Sequence, residues 1–172
     1  RLALRYRGDW NLTVAAPESE ICALIRDVTF PEKKAACLKL IWKNNKVRNS
    51  KISFSYVARL PISEALKEPE KNRGVKRKTS ASTLNFSDVG GRAFVIDTHV
   101  LRVLQRFGVV ESRMRTEYVY DKVMLASASM TADDFFELHW NLKRLGQQFC
   151  SHSQVACEAC ALSARCLRRL ES

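Results

Sequence analysis

No apolar run in these 172 residues approaches the roughly 18 that a membrane span requires, so no membrane partner is expected. Nothing at the start reads as a charged segment followed by an apolar core and a small-residue cleavage site. The opening "RLALRYRGDW" reads instead as a helix already under way. No stretch sustains period-two alternation between hairpin turns, and there is no internal repeat or low-complexity tract. An intracellular location is expected, cytoplasmic or at the nucleoid if the source is bacterial. Hydrophobic residues make up 46%, enough to fold rather than stay disordered. The length suits one compact domain or two small lobes sharing a core.

Acidic residues are scarce, 18 against 29 Lys and Arg, which leaves a net charge of +11. Such an excess repels itself and signals a polyanionic partner, most often nucleic acid. It is concentrated in "KNRGVKRK", Lys71 to Lys78, with no acid among its eight residues. A solvated face or flexible arm would look the same on charge alone.

The apolar periodicity is helical throughout. Pro17 and Pro31 sit where first-turn prolines belong, opening "PESEICALIRDV" and "PEKKAACLKLIWK". Val100, Val103, Leu104 and Phe107 follow the i, i+3, i+4, i+7 template, with Asp97 as N-cap and Gly108 as stop. Thr131 and Asp134 make a capping box ahead of a stripe of Phe135, Leu138, Leu142, Leu145 and Phe149. The short run Ala93 to Ile96 reads as the approach to a helix rather than a strand. The expected fold class is all-α.

Four of six cysteines crowd the C-terminus as Cys150, Cys157, Cys160 and Cys166, a C-x6-C-x2-C-x5-C pattern. Disulfides need an oxidising compartment, to which nothing here points. Structural zinc sites usually pair two Cys-x-x-Cys knuckles, and this loop has one. A [4Fe–4S] cube takes four thiolates from a wrapped loop with uneven gaps. Spacing alone leaves cluster, zinc and unligated thiols open; a cluster with four thiolates carries 2−. Cys22 and Cys37 fall within helical patterns and read as buried small hydrophobes.

The stretch "RGVKRKTSASTLNF" reads as a Gly-Val turn opening a helix, with N–H groups and the positive helix end facing outward to suit a phosphate. A plain interhelical turn with solvated lysines is the alternative. Asp97 follows Lys78 by nineteen residues, and capping alone would explain it. Read as a pair, a lysine amine near cations and a helix N-terminus can act as a nucleophile. A nearby carboxylate can stabilise an oxocarbenium-like sugar and move protons.

Together "GVKRKTSASTLNF", "VIDTHVLRVLQRFGVV", "ELHWNLKRLGQQFC" and the cysteine spacing resemble endonuclease III, in the helix–hairpin–helix DNA glycosylase superfamily, from about Trp10 to Cys166. The resemblance implies two helical lobes flanking a DNA cleft, with a damaged base flipped from the stack. It implies a lobe over 17–128 holding the hairpin at about 62–86, then a C-terminal helix and cluster loop over 129–172; how 1–16 packs is left open. Lys78 matches the Schiff-base lysine and Asp97 the catalytic aspartate. Gly74, Val75, Lys76, Arg77, Thr79 and His99 are the expected DNA contacts, and the four C-terminal cysteines match the ligands of a [4Fe–4S] cluster. The implied partner is double-stranded DNA carrying a damaged base or an abasic site, bound by a monomer. Three departures stand out. Asn72-Arg73-Gly74-Val75-Lys76 replaces Leu-Pro-Gly-Val-Gly, Pro69 is expected to interrupt the helix before the hairpin, and the chain opens after the family's Gln-containing motif, which helps fill the flipped base's gap.

The expected function is a base-excision DNA glycosylase with AP lyase activity. A monofunctional glycosylase for an alkylated purine or mispaired base, with Asp97 activating water, remains an alternative, as does a DNA-binding module without catalysis. An electron carrier would need neither Lys78 nor Asp97. His139, near an apolar stripe, reads as a satisfied core histidine, whereas His99, beside Asp97, is placed to reach the cleft.

Overall fold

The structure, a computed structural model, describes residues 1–49 and 52–167. The last five residues of the expected C-terminal unit, 168–172, lie outside the described residues. Those described form nine α-helices: α1 (Leu2–Arg5), α2 (Trp10–Ala15), α3 (Glu18–Leu24), α4 (Pro31–Asn49), α5 (Ile62–Glu70), α6 (Arg77–Asn85), α7 (Thr98–Phe107), α8 (Thr116–Ala126) and α9 (Ala132–Gln148). Two 3₁₀ turns, Ser55–Arg59 and Ser163–Arg165, complete the order. The all-α expectation holds; among the described residues the only β pairing is one isolated bridge, Cys150 with Val155.

Two cores organise the helices. The smaller gathers Tyr6, Ala16, Ile21, Ala35 and Trp42, where α4 packs across α2 and α3. The larger runs from Val57 to Phe135, with Leu138 and Leu142 of α9 packed against it. Ala93, Phe94, Val95 and Ile96 form an extended, fully buried lead-in to α7 at its centre.

Helix signals in the sequence translate directly into ends. Pro31 is the first residue of α4, while Pro17 caps α3 from one position outside. The Thr131 backbone donates to Asp134 Oδ2 at 2.7 Å, and Asp134 N donates back to Thr131 Oγ1 at 3.2 Å. Gly108 stops α7 in the left-handed region.

Two expectations need correction. Pro69 does not interrupt α5, which runs unbroken to Glu70. As the penultimate helical residue it forfeits only the bond to the Ala65 carbonyl, while its ring is buried and Lys71 N still reaches Lys67 O at 3.2 Å. Cys22 and Cys37 are half-buried rather than buried. The Cys37 thiol donates to the Arg73 carbonyl at 3.3 Å, giving it a polar partner that a small hydrophobe would lack.

The tightest approach that positions the site is between α7 and α9. A Cβ at Gly146 would stand 3.0 Å from the His99 carbonyl oxygen, 3.1 Å from the His99 Cβ and 3.2 Å from Val103 Cγ2. Gly146→Val should therefore destabilise by about 1–3 kcal/mol through overpacking. Thermal unfolding should show a midpoint lowered by roughly 2–4 °C per kcal/mol; an unchanged midpoint would mean the helices are free to separate.

Candidate active site

The basic run becomes the turn between α5 and α6. Val75 N donates to Asn72 O at 3.0 Å, and Gly74 takes φ +87°, a value side-chain-bearing residues rarely adopt. Asn72 is buried, its Nδ2 on Pro69 O at 3.1 Å and its Oδ1 accepting from Asn44 at 3.4 Å, so α4 of the smaller core braces the turn. Lys76 occupies the N-cap of α6 and no side chain caps the helix, which leaves first-turn N–H groups available. Gly74, Lys76, Lys78 and Thr79 are exposed around this helix start, while Val75 is buried.

Arg77 departs from its neighbours. Its Nε donates to Glu70 at 2.6 Å and its guanidinium lies 5.2 Å from the Tyr120 ring centroid. The Glu70 hydrogen bond, the largest cause, holds its pKa above the ordinary value. Burial drives the Tyr120 hydroxyl up to about 12, so it stays neutral beside that cation. Arg77 thus ties α5, α6 and α8 together.

Asp97 is buried at the head of α7. Its Oδ1 accepts from His99 N and Val100 N, both at 2.9 Å, and Oδ2 accepts nothing among the described residues. One carboxylate can therefore cap the helix and still offer an oxygen. Behind it, on α9, His139 is 2% exposed and its Nδ1–H donates to Val95 O at 2.8 Å. Burial lowers its pKa below the ordinary 6.5; the Val95 bond and Asp97 push upward, and Lys143 and Lys78 push downward. The charges of Lys78, Asp97 and Lys143 all act on this one imidazole. His99 is half-buried with Nδ1 3.1 Å from Arg102 Nη2, and its backbone lies against Gly146.

The four C-terminal cysteines line one pocket, closed by Val103, Arg106, Phe107, Leu145, Phe149 and Leu162. None of them forms a disulfide. Arg102 Nε donates to Cys150 O at 2.7 Å, and Arg106 Nη1 donates to Ser151 O at 2.6 Å and approaches Cys150 Sγ at 3.5 Å. Arg106 is buried without a carboxylate partner among the described residues. A buried cation with only carbonyl and thiol neighbours suits an anionic group in this pocket. Among the described residues no three His, Cys, Asp or Glu side chains converge on a single metal ion. These features fit a thiolate-ligated cluster in donor chemistry and charge. The sequence reading missed both arginines; their i, i+4 spacing on the polar side of α7 was the available signal.

No helix among the described residues is long and apolar enough to cross a membrane. No family model matches the chain, and no curated protein matches its sequence. Solved structures do match. A trapped endonuclease III–DNA covalent intermediate superposes with a TM-score of 0.74 at 22% identity, over 99% of this chain and 72% of that one. A non-covalent endonuclease III–DNA complex gives 0.73 at 23%, over 99% and 72%. A thermostable thymine-DNA glycosylase gives 0.70 at 18%, over 96% and 71%. The chain has the helix–hairpin–helix DNA glycosylase fold of endonuclease III.

The depressed pKa of His139 means the unfolded chain binds a proton the folded chain resists. Its contribution to stability is full above the unfolded pKa of about 6.5 and is lost as pH falls through the lower folded value. Unfolding midpoints followed from about pH 7.5 to about pH 5 should fall more steeply for the natural chain than for His139→Gln. Parallel declines would exclude His139 as the source.

Proposed function

We propose that this chain is a base-excision repair DNA glycosylase with AP lyase activity, acting as a monomer on duplex DNA that carries a damaged base or an abasic site. The observation that carries this reading is the placing of an exposed Lys78 in the first turn of α6 and of a buried Asp97 at the head of α7, with one carboxylate oxygen uncommitted. The fold supports it, since solved endonuclease III structures with DNA superpose over nearly the whole chain.

The chemistry follows from the two groups. The Lys78 amine attacks C1′ of the extruded nucleotide as the glycosidic bond breaks and the base departs with its electron pair, taking up a proton. The Asp97 carboxylate stabilises the cationic character at C1′ through Oδ2, while Oδ1 remains committed to the helix. Opening of the sugar gives an imine to Lys78. Loss of a C2′ proton then expels the 3′ phosphate by β-elimination. The hairpin grips the backbone through the α6 N-terminus, with Gly74, Val75, Lys76 and Thr79 at the phosphate. Lys76 supplies charge where the family pattern has a second glycine. Arg77 and His99 serve from behind, through Glu70 and Arg102 respectively.

Cys150, Cys157, Cys160 and Cys166 would hold a [4Fe–4S] cluster. Bound there, it would serve by ligation rather than electron transfer, fixing the C-terminal loop. Four thiolates on its 2+ core would leave a 2− charge, which Arg106 would offset from inside the fold.

Borohydride trapping on duplexes bearing an oxidised pyrimidine, an alkylated purine or an abasic site should yield a covalent adduct that Lys78→Ala abolishes in folded protein. Base release without any adduct would replace the lyase with hydrolysis centred on Asp97. Salt-sensitive DNA binding with neither would leave a non-catalytic module. Separately, the purified chain should carry four iron and four sulfide with broad visible absorption, which Cys150→Ser strongly reduces. One zinc per colourless chain would overturn the cluster.

A further inference from the structure

Cys37 and Asn44 stand two turns apart on α4, a spacing that brings both side chains to one face. The opposite face buries Ala35 and Trp42 in the smaller core, so the helix that carries them is itself anchored. Both reach the hairpin turn, at neighbouring residues. The Cys37 thiol donates to Arg73 O at 3.3 Å, and Asn44 Nδ2 donates to Asn72 Oδ1 at 3.4 Å. Asn72 in turn sends its N and its Nδ2 to Pro69 O, at 3.0 and 3.1 Å.

The Arg73–Gly74 peptide is trans and planar, so its carbonyl and its N–H point in opposite directions. With the carbonyl drawn toward α4, the Gly74 N–H is aimed away from that helix, on an exposed residue. This N–H has no acceptor among the described residues, and neither has Lys76 N two residues on. The sulfur also sits close behind the turn, since a Cβ at Gly74 would stand 3.3 Å from it. Arg73 occupies the place where the resembled pattern has proline, whose ring would fix φ without help. Arginine leaves that torsion free, so a contact from outside the turn has to set it.

We infer that Cys37 and Asn44 are positioning residues for the hairpin's hold on the DNA backbone. Cys37 orients the Gly74 N–H toward a phosphate oxygen, and Asn44 fixes the start of the turn through the Asn72 amide. This rests on the DNA-binding part of the reading above. A thiol is a weak donor and an amide contact of 3.4 Å is long, so neither bond carries much of the fold. What each removes is freedom at a group that must meet its ligand already aligned.

The natural chain, Cys37→Ala, Cys37→Ser and Asn44→Ala should be titrated, across a salt series, with a duplex carrying a tetrahydrofuran abasic analogue, which cannot form an imine. Cys37→Ala should weaken binding about five-fold at every salt concentration, the scale of one net hydrogen bond. The slope of log Kd against log salt should stay the same, because a neutral N–H displaces no counterion. Lys76→Ala, by contrast, should lower that slope by about 1. Cys37→Ser, whose hydroxyl can donate to the same carbonyl, should bind within about two-fold of the natural chain. Asn44→Ala should weaken binding about three-fold and cost nothing further when Asn72→Leu is already present. Unchanged affinity in Cys37→Ala, equal losses in Cys37→Ala and Cys37→Ser, an additive loss on Asn72→Leu, or losses that merely track lowered unfolding midpoints would overturn the inference. Borohydride trapping at a natural abasic site separates it from catalysis. If the natural chain binds the duplex but traps nothing, the lyase reading fails and the affinities still decide the brace. If it binds no duplex DNA, both fall.

Discussion

The two hydrogen bonds that the buried Asp97 carboxylate accepts from the first turn of α7 set the geometry of nearly everything else. They fix where α7 begins and therefore its rotational register. With that register set, Val100 and Leu104 face the larger core, while Arg102, Val103 and Arg106 face the cysteine pocket and loop. The helix can lie this close to α9 only because Gly146 carries no side chain. One helix thus spans from a buried carboxylate at its N-cap to a thiol-lined pocket at its last turn.

The electrostatics divide along that helix. At the hairpin end the positive charge is exposed and faces solvent through Lys76 and Lys78. At the cysteine end it is internal, on Arg106, among carbonyls and thiols. An exposed cation is cheap and screened by salt, whereas a buried one without a carboxylate demands an anion nearby. The first arrangement suits a transient polyanion and the second a resident one. Arg77 belongs to neither class, since Glu70 and Tyr120 absorb it into the fold.

What could be read from the sequence was local. The α7 template, its cap and stop, the Thr131–Asp134 box and the α9 stripe are each encoded within about four residues of chain, and each formed as expected. His139 as a satisfied core histidine followed from its place near a stripe. Contacts made only in the fold were not legible: nothing near Cys37 in sequence announces the Arg73 carbonyl, and nothing in the run around Arg77 announces that Glu70 meets it across the turn. Phe86, just past α6, meets Phe136 and Trp140 of α9 some fifty residues on, so the three look unrelated until the helices dock. Pro69 costs little because it stands one residue from a helix end, where the helix-interior penalty no longer applies.

The bonds from Arg102 and Arg106 to Cys150 and Ser151 bridge 44 to 48 residues of chain. Contacts that distant close long loops and form only after local structure has reduced the entropy to be lost. The α7–α9 approach at Gly146 and His99 closes a loop of 47 residues, as long as these, so the helix pair and the cysteine loop draw on the same long-range closure. Anything the four thiols hold would therefore fasten the far end of the chain to the same helix that Asp97 begins.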